Sequence, residues 1–320
     1  MPYPDLTRSQ ILIPDQYALE IIQNTVEQSA VLGLCRSVNM GTGTLKMPVL
    51  AALPSGGWVT PRDVGQKKLT SAQWSNVVLT AEELAGILIV PESVINDAAW
   101  DIFGELKPRM AEHFGALIDL AVLFGVDDTG AAVPATFPTG GVIAHATAAG
   151  NTVLQGHIAG PPAQDIAGDI SEVMATVEDD GFEVDGWVAR TQIKARLRGL
   201  RTTQNALLFQ PSLQAATPDT LYGLPMRYAR NGGWDSDDPA QLVVGDWDNA
   251  IIGLRQDITF KVMTEATFTD GAGAVVVSLA ETDQVALRVV MRVGFAIANP
   301  ITQLNPDGTT RSPFGVLHTA

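Results

Sequence analysis

The strongest repeating pattern of apolar residues lies between residues 98 and 124. Its apolar positions, three or four residues apart, are Phe103, Leu106, Met110, Phe114, Leu117, Ala121 and Phe124. This spacing predicts a long helix with one buried stripe. Pro108 interrupts the pattern, and Gly104 lies four residues before it. Because proline removes a helical hydrogen bond and crowds the carbonyl four residues back, the helix either is kinked at Pro108 or begins near Lys107.

A second helical pattern lies near the N-terminus. Apolar residues recur at helical spacing from Asp15 to Leu34, and Asp15 is a suitable N-cap. Residues 1–15 are polar and contain Pro2, Pro4 and Pro14, which predicts an extended arm. We therefore expect an arm followed by a first helix that ends near Gly33.

Residues 44–80 have the pattern of two strands joined by a long loop that extends away from the body of the protein. Apolar and other residues alternate from Thr44 to Val49, and a returning strand is expected from Trp74 to Leu79. The intervening segment has few large apolar residues and is long for a loop within a compact domain. We expect a neighbouring molecule to cover it. The expected contact residues are Trp58, Arg62, Asp63, Lys67 and Lys68.

The remainder of the chain mixes helices and strands. Residues 129–164 lack charged side chains and are rich in Gly, Ala, Pro and Thr, which predicts loops and short strands. A helix is expected from Ile166 to Val177, stopped by Gly181. Strands are expected at 185–189, 242–247, 258–262 and 285–297. No regular alternation of strand and helix is present, so the fold class is α+β.

Charge and composition exclude several classes of protein. The 320 residues carry a net charge of −15, which argues against a sequence-specific DNA-binding protein. Cys35 is the only cysteine, so neither an internal disulfide nor a thiolate zinc site is expected. No apolar run is suited to spanning a membrane, and no secretory signal is seen, so the chain is expected to be made in the cytoplasm without a membrane partner.

Short motifs give little support for catalysis. Asp127-Asp128-Thr129-Gly130 contains the triplet of aspartic proteases, but a second copy is lacking, so a turn is favoured. The glycines of 41–46 lack the ending of a phosphate-binding loop. The four histidines are not spaced as metal ligands, and the basic residues of 190–201 are expected to be solvated or ion-paired. We predict no catalytic residues, no cofactor and no metal.

Four stretches, taken in order, carry a resemblance to a known family. They are Ser29–Arg36 running into Thr44–Val49 and Gly57-Trp58-Val59; Leu84–Asp97; Tyr222–Met226 with Val244–Trp247; and Gln284–Arg288 with Arg292–Ala296 and Pro300. This order resembles the major capsid proteins of tailed bacteriophages, the Hong Kong ninety-seven-type fold. The resemblance covers residues from about 10 to 305.

The resemblance implies a domain organisation and a function. It implies an N-terminal arm and first helix (1–43), an extended loop (44–80), a peripheral domain with a long spine helix (81–129 and 256–320) and an axial domain (130–255). The chain would be a structural subunit of an icosahedral virion shell, built from hexamers and pentamers and assembled in the host cytoplasm. Its main partner would be itself, and the packaged DNA would be contacted only non-specifically. Scaffolding, portal and decoration proteins are left open as further partners.

Two departures from some relatives change these expectations. Only a short arm precedes the first helix, so a scaffold is expected to be a separate protein or absent. Some relatives join their subunits by an isopeptide bond from a loop lysine to an asparagine, helped by a buried glutamate. Lys67 or Lys68 matches the lysine, but Asp283 and Val290 stand at the other two positions. No covalent cross-link is therefore expected there. An encapsulin shell, and a soluble hydrolase using Asp127 or Asp128, stay open as alternatives.

Overall fold

A computed structural model describes residues 29–58, 69–97, 102–156, 166–198, 220–235, 237–269 and 272–319. The predicted arm and most of the predicted first helix lie outside these residues. Residues 30–34 form a hydrogen-bonded turn, with the amides of Leu34 and Cys35 both donating to the Val31 carbonyl. The prediction that the first helix continues through these residues is therefore wrong.

One body of the fold is a four-stranded sheet with the strand order β1-β10-β13-β4. Its strands are β1 (Arg36–Asn39), β4 (Glu82–Pro91), β10 (Ala250–Met263) and β13 (Gln284–Ile297). Between β10 and β13, a separate two-stranded ribbon is formed by β11 (Thr267–Thr269) and β12 (Val275–Ser278). β1 runs parallel to β10, and the other pairs are antiparallel. The strands predicted at 258–262 and 285–297 are confirmed, and both are longer than predicted.

The predicted long helix is confirmed as an unbroken helix, Ile102–Leu123, which we call the spine helix. A short helix α1 (Glu92–Asp97) precedes it. Pro108 lies inside the spine helix, so the alternative that the helix begins near Lys107 is wrong. The spine helix packs on β4, where a Cβ atom added to Gly86 would lie 3.0 Å from the Met110 methyl carbon. Glycine at this position lets the helix approach the sheet closely.

The second body is a six-stranded sheet with the order β5-β14-β9-β6-β8-β7. The strands are β5 (Thr152–Leu154), β6 (Gly186–Arg190), β7 (Thr220–Leu221), β8 (Leu224–Ala229), β9 (Ala240–Gly245) and β14 (Phe314–His318). The helices of this region are α2 (Gly141–Ala149), α3 (Ile166–Asp179) and α4 (Ile193–Arg198). Apolar residues of α3, including Ile170 and Val173, form a core with Trp187 and Leu242. The predictions of a strand at 185–189 and of a helix from Ile166 are confirmed. The strand predicted at 242–247 is present but ends at Gly245, because a 3₁₀ helix begins at Trp247.

The helix α2 corrects a prediction, because residues 129–164 were expected to form only loops and short strands. The glycines that suggested a loop allow two segments of backbone to approach each other. A Cβ atom added to Gly141 would lie 2.5 Å from the Val122 carbonyl, and one on Gly125 would lie 2.6 Å from the Gly140 amide. Val142 and Ala146 are fully buried on α2, so the helix is held by packing.

The chain crosses between the two sheets more than once. A short 3₁₀ helix, Trp247–Asn249, joins β9 to β10, and residues 298–313 join β13 to β14. The two crossings are bonded to each other, since Asp246 donates its amide to the Pro313 carbonyl and Ala298 donates to the Asn249 carbonyl. The last strand, β14, therefore pairs with residues expected in the axial domain, although 256–320 was assigned to the peripheral domain.

Candidate assembly surface

The expected extended loop at 44–80 contains a two-stranded hairpin of β2 (Thr44–Ala52) and β3 (Gln73–Thr80). The two strands pair antiparallel from Thr44 opposite Thr80 to Ala52 opposite Gln73, which confirms the predicted strands. Neither strand belongs to one of the large sheets. Pro48 lies within β2 and donates no hydrogen bond, which a two-stranded ribbon with open edges tolerates.

The base of the hairpin is fixed to the four-stranded sheet. Leu79 is fully buried in a small core with Met40 and Ile251. Gly253 lies beneath it, and a Cβ atom added there would be 2.3 Å from Leu79 Cδ2 and 2.4 Å from Met40 Sδ. The Ala81 amide also donates to the Gly43 carbonyl across the base. The hairpin therefore leaves the body in a defined direction.

The far end of the hairpin exposes large apolar side chains. Trp58 is 101% exposed, Leu69 is 97% exposed and Trp74 is 70% exposed. The Ser55 amide donates to the Thr70 hydroxyl at 2.7 Å, which holds the two limbs together beyond the paired strands. Such exposed apolar groups typically mark contact with another molecule. Among the predicted contact residues, Trp58 lies here, whereas Arg62, Asp63, Lys67 and Lys68 lie outside the described residues.

The charge of this segment differs from that of the whole chain. Residues 44–80 carry four basic residues, Lys46, Arg62, Lys67 and Lys68, and one acidic residue, Asp63. The whole chain carries 20 basic and 35 acidic residues. A basic segment in an acidic chain is complementary to the surface of a second copy.

The spine helix carries a buried carboxylate, Asp119, that holds residues 29–31. Asp119 is fully buried and accepts hydrogen bonds from the Ser29 hydroxyl at 2.5 Å, the Ala30 amide at 3.1 Å and the Val31 amide at 3.2 Å. Asn231 donates a further bond at 2.9 Å. Burial raises the pKa of Asp119, and the four donors oppose this rise. This carboxylate ties three distant segments together.

The positions expected to permit a bend also lie on the spine helix. Gly104 is exposed and Pro108 is half-buried, both near the N-terminal end. From Phe114 onward nearly every residue is buried. The two ends of the helix therefore differ, with a firmly packed C-terminal half and a more exposed N-terminal half.

Three carboxylates meet at the crossing between the sheets, and sequence reasoning did not identify them. The side chains of Asp185, Asp246 and Asp248 lie within 4.8 Å of one another. Burial, followed by the charges of Asp185 and Asp248, raises the pKa of Asp246 to about 6. Pairing of Gly186 with Gly245 brings these residues together, and no local motif signals such long-range pairing.

The cluster gives a prediction for the pH dependence of stability. The pKa of Asp246 is raised from its ordinary value of 3.8 to about 6, so the folded protein binds this proton more tightly than the unfolded chain does. The contribution of this proton to the free energy of unfolding is therefore complete below pH 3.8 and is lost as the pH rises through about 6. Asp246→Asn should therefore unfold at a higher temperature than the unsubstituted protein at pH 8, and at a similar temperature at pH 4. Asp257→Asn, which removes an exposed charge on β10, is the matched control. A Tm difference for Asp246→Asn that is unchanged between the two pH values would contradict this assignment.

The motifs considered for catalysis have structural roles where they are described. Asp127 Oδ1 accepts the Thr129 amide, the Thr129 hydroxyl and the Ala131 amide, which confirms the predicted turn. The Thr129 hydroxyl contributes most to lowering the pKa of Asp127. His113 lies 3.7 Å from Asp128, and His145 contacts the Ser312 hydroxyl at 2.9 Å. His157 lies outside the described residues.

The basic residues of 190–201 are partly described. Arg196 bonds the side-chain carbonyls of Gln155 and Gln241, and Lys194 lies over the ring of Tyr228. The carboxylate of Asp180 accepts hydrogen bonds from Asn151, Asn305 and the Ser312 amide, and so belongs to a different network. In the described part of the chain, no helix is both long and apolar enough to cross a membrane.

Comparison with known proteins agrees with this geometry. The model of the phage capsid family matches residues 9–302. The major capsid protein of Staphylococcus phage 80alpha is 28% identical over 291 residues, covering 89% of this chain and 81% of that protein. A solved structure from Microbacterium phage Oxtober96 has a TM-score of 0.77 and 37% identity, covering 92% of this chain and 91% of that one. A solved structure from Mycobacterium phage Cain also has a TM-score of 0.77, with 30% identity, covering 92% of this chain and 90% of that one.

The fold is thus that of a viral shell subunit with an α+β architecture. The chain belongs to the phage capsid family. Its function is that of a major capsid protein, a structural subunit that assembles with copies of itself into the icosahedral capsid of the virion.

Proposed function

We propose that this subunit closes its shell through the loop at 44–80, which reaches over a neighbouring copy and buries Trp58 there. The observation that carries the proposal is the full exposure of Trp58 at the far end of a hairpin whose base is rigidly packed. Burial of a large aromatic side chain contributes roughly 1.5–3 kcal/mol. Repeated at every subunit contact, this contribution makes the assembled state cooperative.

The proposed organisation follows the sheets. Residues 81–129 with 250–297 form the peripheral domain, 130–249 with the last strand form the axial domain, and the arm at 1–15 contacts adjacent subunits. Residues 250–255 were expected in the axial domain but lie in β10 of the four-stranded sheet. The spine helix bends near Gly104 and Pro108 as the shell matures. This bend is supported by the contrast between the exposed and the buried halves of the helix.

The subunit acts without catalysis in this proposal. Its acidic charge keeps the wall from adhering to packaged DNA, so contact with DNA is non-specific. Assembly takes place in the host cytoplasm.

Substitution of Trp58 tests the proposal. Trp58→Ala should leave the thermal unfolding of the isolated subunit unchanged within about 0.5 kcal/mol, because the side chain is exposed, and should reduce shell yield at least tenfold. Trp58→Phe keeps an aromatic ring and should restore most of the yield. Yields are measured by sedimentation and negative-stain microscopy. Unchanged shell yield for Trp58→Ala would refute the role of this side chain.

A covalent cross-link at the family's isopeptide positions is not expected. Val290 is buried in β13 and offers no carboxylate, and Asp283 replaces the asparagine. Mature shells should therefore dissociate to monomers on a denaturing gel under reducing conditions. A ladder of multimers on that gel would contradict this expectation.

A further inference from the structure

A group of basic side chains gathers at one end of the six-stranded sheet. The strands β6 and β8 run parallel, so their carboxyl ends lie at the same end of the sheet. Arg190 ends β6 opposite Ala229, and Arg230 follows Ala229. The Thr191 hydroxyl donates to the Ala229 carbonyl at 3.0 Å, which holds the start of α4 beside this end. The fold therefore brings together the cations of two separate segments, 186–198 and 220–230.

The charge of these two segments is opposite to that of the whole chain. Together, residues 186–198 and 220–230 contain six basic residues and no acidic residue, whereas the whole chain carries 20 basic and 35 acidic residues. We call these six residues the basic surface. They are Arg190, Lys194, Arg196, Arg198, Arg227 and Arg230.

Aromatic and backbone contacts position several of these cations. Lys194 Nζ lies 4.7 Å from the centroid of the Tyr228 ring, and the guanidinium carbon of Arg230 lies 6.0 Å from the same centroid. The sum of these two distances bounds the separation of the two charges at about 11 Å. Arg198 donates from Nε to the Lys194 carbonyl at 3.3 Å. The positive charges are therefore held close to one another.

Three arginines of the basic surface have no carboxylate partner in the part of the chain that the structure describes. The ion pairs found there join Arg109 to Glu112 and His113 to Asp128, and none involves Arg190, Arg227 or Arg230. Arg227 and Arg230 are also exposed. Their charges are thus available to an anionic partner outside the subunit.

We infer that the basic surface binds the phosphates of packaged double-stranded DNA, without reading its sequence. This inference rests on the proposed function, in which the shell encloses DNA, and names the surface that contacts it. Each DNA strand carries one phosphate per about 3.4 Å of helix axis, so several phosphates fall within a surface of this size. Arginine suits them because its guanidinium can donate two parallel hydrogen bonds to one phosphate. The acidic remainder of the subunit confines DNA to this surface.

An acidic surface on a second copy is a poorer match for these cations. Asp185, Asp246 and Asp248 form a compact group of carboxylates, but Asp185 and Asp246 are half-buried at the crossing between the sheets. The cations are spread out, because Arg227 and Tyr228 are successive residues of β8 and lie on opposite faces of the sheet. A long polyanion can follow cations on both faces, whereas a compact acidic group reaches only some of them.

Titration of DNA into the full-length chain tests this inference. A mixed-sequence duplex of about 30 bp is added to dilute subunit that light scattering shows to be unassembled, and binding is followed by thermophoresis of the tryptophan fluorescence. Arg227→Gln combined with Arg230→Gln should weaken binding about tenfold or more at about 50 mM salt. The slope of log K against log salt should also fall by about 1.8 in magnitude, because each phosphate contact contributes about 0.9. A duplex of unrelated sequence should give the same results.

A matched variant controls for net charge. Lys261→Gln combined with Arg288→Gln also removes two exposed positive charges, from residues paired across β10 and β13. Its affinity for DNA should stay within about twofold of that of the unsubstituted chain. A loss equal to that of the Arg227 and Arg230 variant would show that net charge alone governs binding, and would overturn the inference.

The other outcomes separate the DNA contact from the assembly function. Unaltered binding by the Arg227 and Arg230 variant, or no binding by the unsubstituted chain at low salt, would overturn the inference and leave assembly standing. Loss of shells with DNA binding intact would assign the basic surface to a second copy instead. Failure of the unsubstituted chain to form shells would overturn the function itself. If the variant has a lowered Tm, Arg198→Gln combined with Arg230→Gln replaces it, with the same expected losses.

Discussion

Deletion of residues 54–70 should give a folded subunit that cannot close a shell. The deletion leaves Leu53, Ser71 and Ala72 between the paired Ala52 and Gln73, a loop length that hairpins commonly use. The described residues that are lost include the exposed Trp58 and Leu69, so the buried core of the subunit is untouched. Shell formation should fall below detection by negative-stain microscopy, while the circular dichroism spectrum and the Tm of the subunit stay within a few degrees of the original.

A matched control separates the length of the loop from its chemistry. Replacing 54–70 by a glycine–serine segment of equal length keeps the reach of the loop but removes its apolar and basic groups. This variant should also fail to form shells. Normal particles from the deletion would eliminate the loop from the mechanism, and normal particles from the glycine–serine variant would show that length alone is needed.

Substitution of Asp119 should have the largest effect on the stability of the subunit. Asp119→Ala removes the acceptor for Ser29, Ala30, Val31 and Asn231, and leaves several buried donors without a partner. Each buried donor left unsatisfied costs about 1–3 kcal/mol, so we expect a loss of about 3 kcal/mol or more in the free energy of unfolding. Chemical denaturation of the loop-deleted subunit measures this loss without interference from assembly.

Two further variants distinguish the hydrogen bonds of Asp119 from the packing of its side chain. Ser29→Ala removes one donor and leaves the carboxylate three others, so the expected loss is about 1 kcal/mol. Asp119→Asn retains the size of the side chain and one acceptor oxygen, so its loss should lie between those of the other two variants. Equal stability of Asp119→Ala and the original protein would show that this carboxylate does not hold residues 29–31.

The sequence predicted those strands and helices in which the spacing of apolar residues matches the faces that are buried in the folded protein. The alternation from Thr44 to Val49 predicted β2, because each side of this ribbon faces a different environment. The three-to-four spacing around Phe114 predicted the spine helix, because one stripe of it packs on the sheet. In both cases the pattern was set by nearby packing, and the structure confirmed it.

Other features depend on contacts between distant residues. The glycines at 140 and 141 suggested a loop, but they permit close approach to the end of the spine helix. Asp185 and Asp246 meet only because β6 pairs with β9. The partners of Asp119 come from residues 29–31 and 231, far away in the chain.

The central claim is that the stable form of this chain is a closed assembly of many copies. Negative-stain microscopy of the purified protein, combined with light scattering across a range of concentrations, tests it most directly. The account predicts uniform closed particles, with a loop-deleted control that stays a single subunit. A monodisperse monomer at high concentration for the unmodified chain would contradict it.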